Sequence, residues 1–131
     1  SGIARLRYTQ NLTITLLSDT EFNVVYAIKT SEDLPNEKAE LILSPELTYI
    51  GGTLSWQGDL DPEQSLELRA VARVGNDGRF RVMGTICFSY ADIAQTEHAE
   101  LYVVVENGRI VDVTLESGAT APTPEEAVCQ A

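Results

Sequence analysis

Cations are scarce in this sequence: 9 Lys+Arg stand against 20 Asp+Glu, a formal charge of −11 at pH 7. Such a field repels phosphate backbones and anionic membrane surfaces, so neither is expected as a partner. No apolar run approaches the roughly 18–20 residues that a membrane-crossing helix needs. Cysteine and histidine are sparse too. Cys87 and Cys129 lack C-x-x-C spacing, and a single histidine, His98, cannot complete a metal cluster, so no metal or other cofactor is expected. No stretch has the period of an amphipathic helix, and neither G-x-S-x-G nor H-E-x-x-H occurs. An independent enzyme is therefore not expected. His98, among Gln95, Thr96, Glu97 and Glu100, reads as a surface residue.

What remains is a chain of 131 residues, 44% hydrophobic, enough for one packed domain. Its dominant signal is a period of two. Leu12, Ile14 and Leu16 alternate with Thr13 and Thr15, and Phe22, Val24, Tyr26 and Ile28 alternate with Asn23, Ala27 and Lys29. A linker holding Leu34-Pro35-Asn36 precedes a strand through Leu41 and Leu43, which Ser44-Pro45 breaks. Short extended runs follow at Leu47–Ile50 and Leu54–Trp56, stopped by Gly51-Gly52 and Gly58-Asp59. Short strands with turn signals at this spacing predict an all-β fold, an antiparallel Ig-like sandwich of about 7–9 strands.

Two hairpins suggest their own registers. Leu66, Leu68, Ala70, Ala72 and Val74 share a face, as do Phe80, Val82, Gly84, Ile86 and Phe88. A three-residue loop, Asn76-Asp77-Gly78, would set Val74 against Phe80 and Ala72 against Val82 in adjacent strands. That register places Arg73 opposite Arg81, with Arg69 and Arg79 nearby, as an outer-face cationic patch. Carboxylates on a neighbouring strand would compensate it, or an acidic partner would bind it. In the second hairpin Asn107-Gly108 predicts a tight turn pairing Glu106 with Arg109, Val105 with Ile110 and Val104 with Val111. The strand Leu101–Val105 is then apolar on both faces, either covered twice or presenting a contact patch.

The stretch from Leu41 to Val82 resembles the Ig-like modules found in tandem on bacterial and archaeal surface proteins, including CARDB-type adhesion domains. The residues that carry it are Leu43-Ser44-Pro45-Glu46-Leu47, Tyr49-Ile50-Gly51-Gly52, and Trp56-Gln57-Gly58-Asp59-Leu60-Asp61-Pro62. Glu63 stands where those modules have a glycine, and Ser44 separates Leu43 from Pro45. The resemblance implies a β-sandwich in an exported, multidomain protein, with no catalytic residue to carry over.

Other features have two readings each. Cys87 and Cys129 either form one disulfide or are two free thiols. A bridge would pin the tail back onto the sheet and, by chain-entropy arithmetic, stabilise by about 4 kcal/mol. Asp59, Asp61 and Glu63 form a solvated acidic turn in preference to a calcium loop, whose sixth-position glycine is replaced by Gln64. Trp56 is a core plug, or, if exposed with Tyr49 beside it, a sugar-stacking platform. Asn11-Leu12-Thr13 matches a glycosylation sequon. The opening Ser1-Gly2-Ile3 is expected of a chain whose targeting segment has been removed. Residues 1–116 are expected to form the sandwich, and the small, Thr/Pro-rich segment 117–131 a linker or tail. The expectation is thus a non-catalytic structural or adhesion-type interaction module, extracellular or at the cell surface, contacting other protein domains. A carbohydrate-binding or enzyme-accessory domain is the alternative.

Overall fold

The computed structural model describes residues 8–90 and 93–115. Alternation dictates the elements, and no helix occurs among the described residues. The strands are β1 (Tyr8–Leu16), β2 (Glu21–Thr30), β3 (Leu34–Leu43), β4 (Thr48–Gly52), β5 (Ser55–Leu60), β6 (Ser65–Arg73), β7 (Gly78–Tyr90), β8 (Ile93–Glu106) and β9 (Arg109–Thr114). They form two antiparallel sheets: a smaller one of four strands, ordered β1-β2-β6-β4, and a larger one of five, ordered β5-β3-β7-β8-β9.

The inward rows meet between the sheets. Phe22, Val24, Tyr26 and Ile28 of β2 and Leu66, Leu68, Ala70 and Ala72 of β6 pack with Ala39 and Leu41 of β3, Val82 and Ile86 of β7, and Val103 and Val105 of β8. Burying each large apolar side chain contributes about 1.5–3 kcal/mol, so this one core dominates the fold's stability. At its centre the Tyr26 ring lies flat over Gly84, where an added Cβ would stand 2.5 Å from Cγ and Cδ1. Tyr26 donates its hydroxyl to Gln10 Oε1 (2.6 Å), and Gln10 Nε2 donates to the His98 carbonyl (3.2 Å). That relay joins β1 of the smaller sheet to β8 of the larger.

Chain path corrects the first hairpin. From β2 to β7 each connection carries the chain from one sheet to the other. β6 pairs with β2 and β4, and β7 with β3 and β8. Val74 and Phe80 do share the core, but across the sandwich instead of side by side in one sheet. The segment between them is an arch. Val74 N donates to the Thr20 carbonyl (2.8 Å), and Asp77 accepts from Asn107 N (3.0 Å) and Gly108 N (2.9 Å). Asp77→Ala orphans both turn amides and is expected to cost about 1–2 kcal/mol, read as a fall in the urea midpoint with unchanged m.

The second hairpin forms at its turn, with Asn107 (φ 53°) and Gly108 (φ 77°) both left-handed and Glu106 opposite Arg109. Beyond Val105 and Ile110 the register departs from expectation. A bulge leaves Val111 unpaired, so Val104 faces Asp112 and Val103 faces Val113. The extra residue sets Val113, in place of Asp112, opposite the core residue Val103. Asp112 Oδ1 accepts from Val113 N (2.8 Å), and the Asp19 carbonyl accepts from Ile110 N (2.7 Å). Both contacts occupy amides of this edge strand, which otherwise would template another chain.

Candidate functional site

The four arginines do not share a face. Arg69 and Arg73 stand on β6 of the smaller sheet, and Arg79 and Arg81 on β7 of the larger. The cross-sheet arch separates them: Arg73 lies beside Glu21 and Thr48, whereas Arg81 lies beside Tyr102. Arg69 pairs with Glu67 (2.7 Å), Arg73 with Glu21 (2.8 Å), and Arg81 approaches Glu100 (4.0 Å). The single cationic patch is therefore replaced by separate ion pairs on two outer surfaces.

The unusual group is one that the periodic reading passed over. Glu37 is fully buried, and neither carboxyl oxygen has a hydrogen-bond partner. It lies on the inward row of β3 with Ala39 and Leu41, next to a bulge between Leu34 and Glu37 where Asn36 turns left-handed (φ 59°). Asn36 N donates to Asp59 Oδ1 (3.0 Å), clamping β3 to β5. Opposite Glu37 is Gly58, over which the Trp56 indole folds: a Cβ there would meet Cζ2 at 2.9 Å. Burial pushes the Glu37 carboxyl up, with the nearby Asp59 charge adding to it, to about 7 from the ordinary 4.5. The site can hold or release one proton near neutrality. Extending the Leu41–Leu43 alternation back two positions at a time would have placed Glu37 inward; the Leu34-Pro35-Asn36 linker masked that.

Trp56 is partly buried and packs against the core, which removes the exposed indole that carbohydrate stacking needs. Asp61 Oδ1 accepts from Glu63 N (2.9 Å) in a local turn, and Asp59 is committed to Asn36. His98 is exposed, with its side chain on the outer face of the larger sheet opposite Thr85.

That outer face is the second feature. Met83 (0% exposed), Thr85 (2%), Cys87, Tyr102 and Val104 are buried, although they alternate with the core row of β7 and β8 and point away from it. They form a band from Val104 and Tyr102 through Met83 and Thr85 to Cys87, flanked by Lys38, Glu40, Arg81 and Glu100. Cys87 is disulfide-bonded, and Thr96 Oγ1 lies 3.4 Å from its sulfur. Cys129 and the rest of segment 117–131 lie outside the described residues.

No family model matches this chain, and no curated protein matches it. Among solved structures, the GAE domain of GGA2p from Saccharomyces cerevisiae is similar at 12% identity and TM-score 0.49, covering 79% of this chain and 97% of that one. A FixG-related protein from Vibrio parahaemolyticus is similar at 8% identity and TM-score 0.45, covering 75% of this chain and 95% of that one. The fold is an antiparallel β-sandwich of a four-stranded and a five-stranded sheet. At such identities no functional residue carries over.

Proposed function

We propose that this sandwich is a non-catalytic structural and adhesion-type interaction module of an exported or cell-surface protein. The observation that carries the reading is an apolar corner. Leu16 and Leu17 at the end of β1 are 47% and 56% exposed, and the Asp19–Ile110 bond brings their turn beside β9, where the bulged Val111 is 49% exposed. Large aliphatic side chains gathered on a rigid corner suit contact with another protein domain. The disulfide at Cys87 supports an oxidising, extracytoplasmic setting. The acidic surface keeps such a module soluble and away from polyanions.

Beads coated with the chain are expected to adhere to intact cells of the source organism, and beads coated with the Leu17→Asp/Val111→Asp variant to lose that adhesion while the variant keeps its melting temperature. Wild-type beads binding no better than albumin-coated ones would sink the reading.

A further inference from the structure

We propose that β1 is a homodimerisation edge: two copies of this chain pair their β1 strands antiparallel about a twofold at Leu12, joining two four-stranded sheets into one of 4 + 4 = 8 strands. An edge strand offers a row of free N–H and C=O groups, which proteins blunt with charge, proline, a bulge or a short run. Three of the four sheet edges here are blunted in that way. β4 is five residues long with a bulge at Ile50, β5 carries Gly58 and Asp59, and β9 is bulged at Val111 and carries Arg109 and Asp112. The part of β8 beyond its pairing with β9 holds Glu97 and Glu100, and its His98 carbonyl accepts from Gln10. β1 has none of these devices. Its nine residues contain no charge, proline or glycine, and its register with β2 runs unbroken from Tyr8 opposite Thr30 to Leu16 opposite Phe22. Among the described residues no strand pairs with its other side.

Charge and symmetry select a second copy as the occupant. The chain carries −11 overall, so two copies repel wherever their acids face each other. The outward row of β1 and β2 is neutral ground, with Asn11, Thr13 and Thr15 beside Ala27, Val25 and Asn23. The two ends of that row differ in sign: Lys29 lies beside Thr9, whereas Asp19 and Glu21 lie beyond Leu16. Antiparallel pairing sets each end against its complement in the other copy. A twofold at Leu12, the midpoint of Tyr8–Leu16, uses the whole strand. Leu12 then meets its own counterpart, Ile14 meets Gln10, and on the outward row Asn11 meets Thr13, so each row stays on its own face. Leu12 and Ile14 pack against the core yet are only partly buried, because the sheet ends there, and the second β1 covers them. Each copy spends its one unguarded edge, so the assembly closes at two. The pairing goes beyond the adhesive reading and is tested apart from it, since Leu17 and Val111 lie outside this ladder.

Sedimentation of the full chain over a concentration series is expected to show a monomer passing to a dimer and no further. Hydrogen exchange of β1 amides should slow as the dimer forms, while exchange in β4 and β9 stays the same. Thr13 is exposed on the outward row, so a charge there leaves the core untouched. Thr13→Lys and Thr13→Glu are each expected to raise the dimer dissociation constant about tenfold or more, because like charges meet across the twofold. An equimolar mixture of the two variants should recover the dimer, which a merely misfolded variant would not do. Ser55→Lys, an exposed position on the β5 edge, should leave the dissociation constant unchanged. A chain that stays monomeric at the highest concentration, assemblies larger than two, or a dimer indifferent to Thr13→Lys would each overturn the proposal. So would β1 amides equally protected in dilute and concentrated protein, since the edge would then be occupied within a single copy.

Discussion

Gly84→Ala is expected to lower the melting temperature by roughly 10 °C or more. The new Cβ would stand 2.5 Å from Cγ and Cδ1 of Tyr26 and 2.7 Å from Cδ2. Neither partner has room to withdraw. Gly84 is on β7 between β3 and β8, and the wholly buried Tyr26 ring is held from beyond by its hydroxyl bond to Gln10 and by the β2 core row. Overpacking commonly costs about 1–3 kcal/mol, and a clash with a ring anchored at both ends belongs at or above the top of that range. Gly51→Ala is the control: nothing lies within 4 Å of its added Cβ, and its effect is expected within about 0.5 kcal/mol. A Tyr26→Leu background should absorb much of the Gly84→Ala penalty, a strongly non-additive double-mutant cycle. Thermal melts of the four proteins decide it; a Gly84→Ala melt within two or three degrees of wild type would mean that the ring does not lie as described.

The same strands show where a period of two is informative. It names the inward side chains correctly: Phe22, Val24, Tyr26 and Ile28, then Leu66 to Ala72, then Phe80, Val82 and Ile86 all enter one core. It is silent on whether two inward rows lie side by side in one sheet or face each other across the sandwich, because alternation is identical in both. The Gly75–Gly78 segment suits a hairpin by composition, yet the partners of β6 are already β2 and β4. Those long-range pairings left no local trace, and the cationic patch, which depended on the hairpin, dissolved with it. Asn107-Gly108 was legible because both residues meet a backbone demand within the turn itself. The Val111 bulge was not, since it lies beyond the turn and shifts the register of β9 against β8 at a residue type that carries no local signal. Glu37 was hidden for a related reason. Its carboxylate argues for solvent in any local reading, and the fold overrides that through the bulge at Asn36 and the cover of Trp56.

That override has a consequence in pH. With the Glu37 carboxyl raised from 4.5 to about 7, the folded state keeps its proton over an interval in which the unfolded chain has already lost it. Stability then falls as pH rises, because the unfolded state binds fewer protons than the folded state between those two values. This contribution is fully present below about pH 4.5 and is lost as pH rises through about 7. At about 1.4 kcal/mol per unit, the loss reaches at most about 3.5 kcal/mol. For a chain of this size that corresponds to a melting temperature roughly 10 °C lower at pH 8 than at pH 5 from this group alone. Repulsion among the other acidic groups acts in the same direction, so the measurement is a difference. Glu37→Gln, a neutral side chain of the same shape, should match wild type at pH 5 and exceed it by about 10 °C at pH 8. Asp59→Asn keeps an acceptor for the Asn36 amide and removes the neighbouring negative charge. It should therefore reduce the slope without abolishing it, since burial is the larger cause. Parallel pH profiles for wild type and Glu37→Gln would show that the carboxyl reaches water, and with it that the bulge between β3 and β5 opens readily enough to hydrate the core edge.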